Sequence, residues 1–316
     1  MVKCLECGKA YRDDAQLHRH LKAHKLSQAK YYTKHFPRFD KFDGSPIIFK
    51  TKETYFDTDF NLRQHLKEWL LRVTPEEAQD YVRTLLVARK NRKSLIYTLG
   101  QVELRTLMLP GMVYLNQLFG DYYAECSKLG FTNRFNQTKF SGIWKPFHKD
   151  HCVMVDTREQ MPLNFPISTI HDGLSFADYQ LNDSNFSHKL CVERKTISDL
   201  TNTMTAGHSR FVKEIQRAKD AGFYMVVVVE QSFEHLHNLS RLLRSLNIFI
   251  SPEYVMHLVR DLIQSFDMLQ FLFVDNREEA SEVILRLFQS DGQFKHIDLQ
   301  YAYDSLQLCG IVQRNI

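Results

Sequence analysis

Two carboxylates and a lysine in the second half of the chain have the spacing of a site for phosphodiester chemistry. Asp178 lies in a Phe-Ala-Asp-Tyr segment, and Glu193 and Lys195 follow the apolar residues 190–192, fifteen positions further on. An Asp followed by Glu-x-Lys at a strand end places two carboxylates beside one divalent cation. Lys195 is expected to orient the attacking water and to offset charge on the phosphorane. The pattern predicts a metal-dependent nuclease site.

A third carboxylate, Asp156, ends another apolar run. We expect Asp156, Asp178 and Glu193 to gather the cation, and the carbonyl of Arg194 to be a further oxygen ligand. All-oxygen ligation favours Mg²⁺, with Mn²⁺ as a substitute. Two alternatives remain: a surface strand end whose charges are solvated, or a nuclease fold that binds DNA without cutting it.

A predicted sheet must position these side chains. Apolar, β-branched runs predict strands over residues 152–156, 190–192, 223–230 and 269–275. Amphipathic patterns predict helices over residues 210–222 and 278–288. Strands that alternate with helices are typical of a buried sheet covered on both faces. We therefore predict an α/β domain over residues 150–290, with a central mixed sheet flanked by helices.

The first 26 residues contain a second set of metal-ligating side chains. The spacing is Cys-x2-Cys-x12-His-x3-His, at Cys4, Cys7, His20 and His24. Two thiolates on a turn and two imidazoles one helical turn apart close a tetrahedral Zn²⁺ site. A module this short has too little core to fold without its metal. The segment resembles a classical zinc finger, so we expect a ββα fold with structural Zn²⁺.

The helix of this finger would present three side chains to DNA bases. Counting back from His20 as the seventh helical residue, these side chains belong to Asp13, Gln16 and Arg19. One finger covers only about three base pairs and cannot supply a specific site by itself. The finger therefore either anchors the chain on DNA, or it docks another protein or has a purely structural role.

Residues 31–149 are predicted to form a basic, mostly helical region that contacts DNA. Residues 74–77 read Thr-Pro-Glu-Glu, a good helix start. Further helices are expected over residues 62–73, 101–109 and 113–129. The helix that starts at Pro75 should end in a dense basic cluster: Arg89, Lys90, Arg92 and Lys93. This cluster is either a grip on the DNA backbone or a solvated helix end favoured by the helix dipole.

Charge is unevenly distributed over the 316 residues. Residues 1–150 contain 26 Lys and Arg against 16 Asp and Glu, and residues 151–316 contain 15 against 21. The asymmetry suggests a polyanion-binding region joined to a carboxylate-rich catalytic region, or merely an uneven solvated surface. No apolar run could span a membrane, and the N-terminus lacks a signal-peptide core. We expect a soluble intracellular protein of the cytoplasm or nucleus, cellular or virus-encoded, without disulfides or a membrane partner.

Several motifs occur in a fixed order in the second half of the chain. They are Val-Asp-x-Arg-Glu at 155–159, Ala-Asp-Tyr at 177–179, Val-Glu-Arg-Lys-x3-Asp-Leu at 192–200 and Arg-Phe at 210–211. The order is similar to that of the XPF/Mus/Hef family of structure-selective endonucleases, of the PD-(D/E)XK type, over residues 151–290. The resemblance implies a restriction-endonuclease-like fold. It also implies roles for Arg158 and Arg194, the latter as a structural ion pair with a motif carboxylate. Glu159 and Asp199 are further candidates, although Asp199 could be only a helix-start residue.

Two features depart from this family. Ala177 stands where glycine is usual, which we expect to be tolerated if the backbone there is not left-handed. No tandem helix-hairpin-helix module follows within residues 291–316, a tail without a motif, so the finger and the basic region are expected to take over recognition of DNA. A homodimer through the nuclease domain is plausible. The predicted helices over 236–246 and 254–266 would supply its surface, or else they only cover the sheet.

The leading hypothesis is a Mg²⁺-dependent endonuclease that cuts branched, flapped or forked DNA and leaves 5′-phosphate and 3′-hydroxyl ends. One alternative is a sequence-preferring duplex endonuclease of a mobile-element or restriction system. Another is a zinc-finger DNA-binding scaffold with an inactive nuclease fold.

Overall fold

The computed structural model describes residues 1–182, 188–233 and 250–308. Its N-terminal segment contains two short antiparallel strands and a helix, β1 (Val2–Lys3), β2 (Ala10–Tyr11) and α1 (Asp14–His20). A 3-10 turn over Leu21–His24 extends α1, and α2 (Gln28–His35) follows. The strands and α1 have the predicted ββα order.

The apolar core of this segment extends beyond residue 26. Leu17 and Leu21 pack in one cluster with Tyr31 of α2 and Tyr55 of α3 (Lys52–Asp57). All four side chains are almost fully buried. Just after residue 26, the Ser27 hydroxyl caps α2 by accepting a hydrogen bond from the Lys30 amide. The finger is therefore part of a larger packed unit.

The middle of the chain is mostly helical, as predicted. Its helices are α4 (Arg63–Leu70), α5 (Pro75–Lys93), α6 (Gln101–Thr106), α7 (Met112–Phe119) and α8 (Tyr122–Lys128). The expected capping box is present at the start of α5, where Thr74 and Glu77 exchange backbone-to-side-chain hydrogen bonds of 2.9 and 3.2 Å. The helix predicted over residues 113–129 is instead two helices. Gly120 has a φ of 77° and ends α7, and Asp121 caps α8.

A six-stranded mixed sheet forms the centre of the second half of the chain. Its strands are β3 (Cys152–Asp156), β4 (Thr169–Asp172), β5 (Tyr179–Asn182), β6 (Leu190–Lys195), β7 (Tyr224–Glu230) and β8 (Leu269–Val274). The strand order is β4-β3-β5-β6-β7-β8, and β5 is antiparallel to both of its neighbours. β7 and β8 are apolar almost throughout because both of their faces are buried. The predicted fold class, a mixed sheet flanked by helices, is confirmed.

Helices cover both faces of this sheet. On one face lie α9 (Ile197–Met204), α10 (His208–Asp220) and α11 (Pro252–Ser265), and on the other lie α12 (Arg277–Gln289) and α13 (Leu299–Asp304). Helix α13 belongs to the predicted tail, yet Leu299 and Tyr303 are buried against the sheet. The sheet and its covering helices, called the sheet domain below, thus extend beyond residue 290, because the far face of the sheet would be incompletely covered without α13.

The apolar side of α11 faces the sheet. Val255 and Val259 of this helix are fully buried in the same cluster as β7 and β8. These side chains are therefore not free to form the predicted dimer surface, since the sheet occupies them. The predicted helix over residues 236–246 and Cys309 lie outside the described residues. No helix in the described ranges is both long and apolar enough to cross a membrane.

The helical region packs directly against the sheet domain. The Arg134 guanidinium donates to the carbonyls of Ile263, Phe266, Asp267 and Leu269, at 2.6 to 3.0 Å. These hydrogen bonds join the segment after α8 to the end of α11 and the start of β8.

Candidate active site

The ends of three strands meet at one edge of the sheet. Because β5 is antiparallel to both β3 and β6, its first residues lie beside the last residues of those strands. A cavity of about 260 Å³ opens at this edge. It is lined by Asp156, Arg158, Ala177, Asp178, Glu193, Lys195, Thr203, Gly207, Arg210, Phe211, Glu214 and Arg217. The topology thus brings together the residues that the sequence patterns predicted to share a site.

Asp178 is held rigidly at the start of β5. Its carboxylate accepts the Arg194 amide at 2.7 Å, and its own amide donates to the Val192 carbonyl at 3.0 Å. Glu193 is buried on the adjacent strand. Burial raises the pKa of both Asp178 and Glu193, and the charge of Asp178 raises the pKa of Glu193 further. Two neighbouring carboxylates, one buried and one half-buried, favour a cation between them.

Lys195 contacts one member of this pair directly. Its ammonium group bonds to a carboxylate oxygen of Glu193. Burial alone would lower the pKa of Lys195, but the charge and hydrogen bond of Glu193, together with the charges of Asp178 and Glu214, outweigh burial, so the pKa is raised. A Mg²⁺ ion commonly binds one or two carboxylates together with water and substrate phosphate. Asp178 and Glu193 fit that requirement by chemistry and by position.

Asp156 lines the same cavity, but its carboxylate is bound to Arg158. It accepts four hydrogen bonds, from the Arg158 amide, from Nε and Nη2 of Arg158, and from the Leu174 amide, at 2.7 to 2.9 Å. The Arg158 hydrogen bonds hold its pKa below the ordinary value. Within the described ranges, Asp156, Asp178 and Glu193 do not form a group whose ligand atoms all lie within 4.8 Å of one another. Asp156 thus orients Arg158 in this structure, and its binding of the cation stays a prediction.

Arg194 points away from the cavity. Its guanidinium contacts Glu159 at 3.1 and 3.2 Å and Glu230 at 3.3 Å. This geometry agrees with the structural ion pair that the resemblance implies, and it assigns Glu159 to the same ion pair. Asp199 accepts a hydrogen bond from the Thr196 hydroxyl at 2.6 Å at the start of α9, which favours the helix-start interpretation.

Sequence reasoning missed three site residues on α10. Arg210, Glu214 and Arg217 line the cavity. Their spacing of four and then three residues places them on one face of the helix, and this periodicity was the available signal. Together with Arg158, the two arginines surround the carboxylates with exposed guanidinium groups, an arrangement suited to the phosphates of a nucleic acid.

The backbone at Ala177 is left-handed, with a φ of 60°. Alanine was expected to be tolerated here only if the backbone were not left-handed, and that condition is not met. Ala177 is buried, and its amide donates to Glu214 Oε1 at 3.1 Å. This contact connects α10 to the residue immediately before Asp178.

The four predicted zinc ligands converge. One ligand atom from each of Cys4, Cys7, His20 and His24 lies within 4.8 Å of all the others. The Cys7 Sγ to His20 Nε2 distance is 3.3 Å, and the Nε2 atoms of His20 and His24 are 3.0 Å apart. Neighbouring ligands of tetrahedral Zn²⁺ are separated by about 3.3–3.8 Å, given its bond lengths of about 2.0–2.3 Å. The donor set and its geometry fit Zn²⁺.

Two of the three predicted base-contacting residues have local roles in the finger. Asp13 caps α1 by accepting the Gln16 amide at 2.9 Å, and Gln16 Oε1 accepts the Arg12 amide at 3.1 Å. Arg19 is exposed. Contact of these side chains with DNA stays a prediction.

The basic cluster at the end of α5 is not a free cationic surface. Arg89 is 5% exposed and pairs with Asp57 and with Glu53, the latter at 3.0 Å. Arg92 also contacts Asp57, and Lys93 lies 3.8 Å from Glu53. The prediction that Arg89 contacts the DNA backbone is therefore wrong, because a buried guanidinium cannot reach a phosphate.

Lys90, the fourth member of the cluster, contacts another part of the helical region. Its ammonium donates to the carbonyls of Leu129 and Gly130, at 3.0 and 2.6 Å. These carbonyls follow α8, so Lys90 satisfies acceptors left open at a helix end.

A comparison with known protein families finds a match over the segment that contains the site. Residues 155–287, less than half of the chain, match the ERCC4 domain family. XPF from Aeropyrum pernix has 20% sequence identity and a TM-score of 0.33, covering 43% of this chain and 64% of that chain. The same protein in complex with DNA gives 17% identity and a TM-score of 0.30, covering 44% and 62%. The chain thus spans less than two thirds of either structure. No curated protein sequence matches it.

Proposed function

We propose that this protein is a divalent-metal-dependent DNA endonuclease that hydrolyses phosphodiester bonds in branched, flapped or forked DNA. The observation that carries the proposal is the grouping of Asp178, Glu193 and Lys195 in one cavity at the sheet edge. The match of this segment to the ERCC4 domain family supports it independently. The products would carry 5′-phosphate and 3′-hydroxyl ends.

Asp178 and Glu193 would hold the cation, Mg²⁺ or Mn²⁺. When bound, that ion lowers the pKa of a water molecule and polarises the phosphoryl oxygen. The Lys195 ammonium, which is paired with Glu193 in the structure, would orient the attacking water.

The arginines around the cavity would bind the DNA backbone. Arg158 is held by Asp156 and keeps a largely exposed side chain, so it presents a pre-oriented guanidinium to a phosphate. Arg210 and Arg217 lie about two helical turns apart on α10, and both are exposed at the rim of the same cavity. The net positive charge of residues 1–150 would help to attract the same polyanion.

We also propose structural Zn²⁺ in the finger, held by Cys4, Cys7, His20 and His24. The convergence of these ligands supports this assignment. The ion would stabilise the turn between β1 and β2 against α1. It takes no part in cleavage, because the finger has its own complete donor set.

Cleavage of a panel of DNA substrates tests this proposal. Labelled fork, flap, single-stranded and plain duplex DNA are incubated with the protein and Mg²⁺, with Asp178→Asn as the background control. Cutting of forks or flaps by the wild type alone is the expected result. Equal cutting of a plain duplex, dependent on its sequence, would support the duplex endonuclease instead. Tight salt-sensitive binding without cutting of any substrate would support the inactive scaffold.

A further inference from the structure

Glu214 links helix α10 to the loop that carries Asp178. Its Oε1 atom accepts the Ala177 amide at 3.1 Å. Ala177 is 2% exposed and left-handed, and Asp178 follows it directly. Glu214 therefore contacts the backbone one peptide away from a carboxylate that the proposed function requires.

The conformation at Ala177 needs such a contact. An L residue with a φ near 60° is strained, and strained residues persist only where their surroundings fix them. A buried amide also needs an acceptor, and Glu214 supplies it. On either side of Ala177 the chain is held by packing of Phe176 on Phe223 and by the hydrogen bond from the Asp178 amide to Val192.

We propose that Glu214 is a positioning residue, which acts through the Ala177 amide to fix the direction of the Asp178 carboxylate. The proposal rests on the proposed endonuclease function. A shift of the Ala177 peptide would rotate the start of β5, and the Asp178 carboxylate would move away from Glu193. Glu214 thus contributes to the rate of the reaction without contacting the reacting atoms.

The competing interpretation is that Glu214 binds the cation, since it lines the same cavity. Two substitutions separate the interpretations. Glu214→Gln keeps a carbonyl acceptor at Oε1 for the Ala177 amide but is a poorer ligand for Mg²⁺. Glu214→Leu removes the acceptor at nearly constant size. A third variant, Glu214→Leu combined with Ala177→Gly, relieves the strain, because glycine adopts the left-handed conformation without steric cost.

Single-turnover cleavage of a fork or flap, titrated with Mg²⁺, is the first measurement. We expect Glu214→Gln to keep the wild-type rate and Mg²⁺ half-saturation within about 3-fold, and Glu214→Leu to slow cleavage by about 100-fold, as misplacement by about 1 Å does. DNA affinity measured in Ca²⁺ should not change. Adding Ala177→Gly to Glu214→Leu should restore about 10-fold of the rate. Lys213→Leu, an exposed position on the same helix, is the control that should leave cleavage unchanged.

Hydrogen exchange of the peptide that covers residues 175–179 provides a readout independent of activity. Glu214→Leu should speed exchange at Ala177 and Asp178, and Glu214→Gln should not. A Glu214→Gln variant as slow as Glu214→Leu, with a raised Mg²⁺ half-saturation, would overturn the positioning role in favour of cation binding. Unchanged rate and exchange in Glu214→Leu would also overturn it. If the wild type cuts no DNA, the endonuclease proposal fails, and the exchange result still decides the role of Glu214.

Discussion

Replacing Glu53 by alanine should strongly destabilise the contact between the helical region and the sheet domain. The Glu53 carboxylate, with a side chain only 8% exposed, lies 3.0 Å from Arg89 and 3.1 Å from Arg260. It is also 2.8 Å from His257. Helix α5 and helix α11 therefore share one buried anion. Removing it leaves two buried guanidinium groups without that partner.

The size of the effect follows from the burial of this ion pair. Breaking a buried ion pair by removing one partner costs about 3–5 kcal/mol. Because Asp57 still pairs with Arg89 in the variant, we expect the lower end of that range, about 3 kcal/mol. The matched control is Glu68→Ala. Glu68 forms an exposed pair with Arg72 at 3.8 Å, and such pairs contribute only about 0.3–0.5 kcal/mol.

Urea unfolding of the wild type and both variants measures these free energies. Burial alone would raise the pKa of Glu53, but contact with His257 and the charges of Arg260 and Arg89 outweigh burial, so the folded-state pKa lies below the ordinary 4.5. The wild type should therefore lose this stabilisation as the pH falls below about 4.5, and Glu53→Ala should lack that part of the acid sensitivity. A loss below about 1 kcal/mol at neutral pH, similar to that of Glu68→Ala, would refute the reasoning.

Three further outcomes are expected. Chelation of zinc, or Cys7→Ser, should expose the finger to proteolysis and leave the sheet domain resistant; unchanged proteolysis would contradict a zinc-dependent finger. Glu193 must lose a proton to bind Mg²⁺, so calorimetric affinity should rise between pH 6 and about 8 and then level off, whereas a flat profile would contradict the raised pKa. Gly100→Ala would place a Cβ 2.6 Å from Asp298 Oδ2 and should cost about 1–3 kcal/mol, but Gly111→Ala, with its nearest atom at 3.6 Å, should cost less than about 1 kcal/mol.

The sheet and the two candidate sets of metal ligands were predictable because their signals are local. Residues 224–230 are apolar on both strand faces, which indicates a strand buried between helices. The carboxylate of Asp178 and the Glu-x-Lys pair lie at strand ends that antiparallel pairing brings to one edge. The finger ligands follow from spacing alone.

The errors concern contacts between residues distant in sequence. In the sequence, Arg89 belongs to a cluster of basic residues that would be expected to face solvent. Only the fold shows that α3 brings Glu53 and Asp57 against it. Glu214 was not identified because its importance depends on a backbone amide in another element.

The most direct test of the proposed active site is single-turnover cleavage of the preferred DNA by the wild type, Asp178→Asn and Lys195→Ala in Mg²⁺. Asp220→Asn, an exposed position at the far end of α10, is the control. We expect cutting that requires the divalent cation and slows by about 100-fold or more in both active-site variants, with DNA affinity unchanged. Cutting at the wild-type rate by either variant, or cutting without a divalent cation, would contradict it.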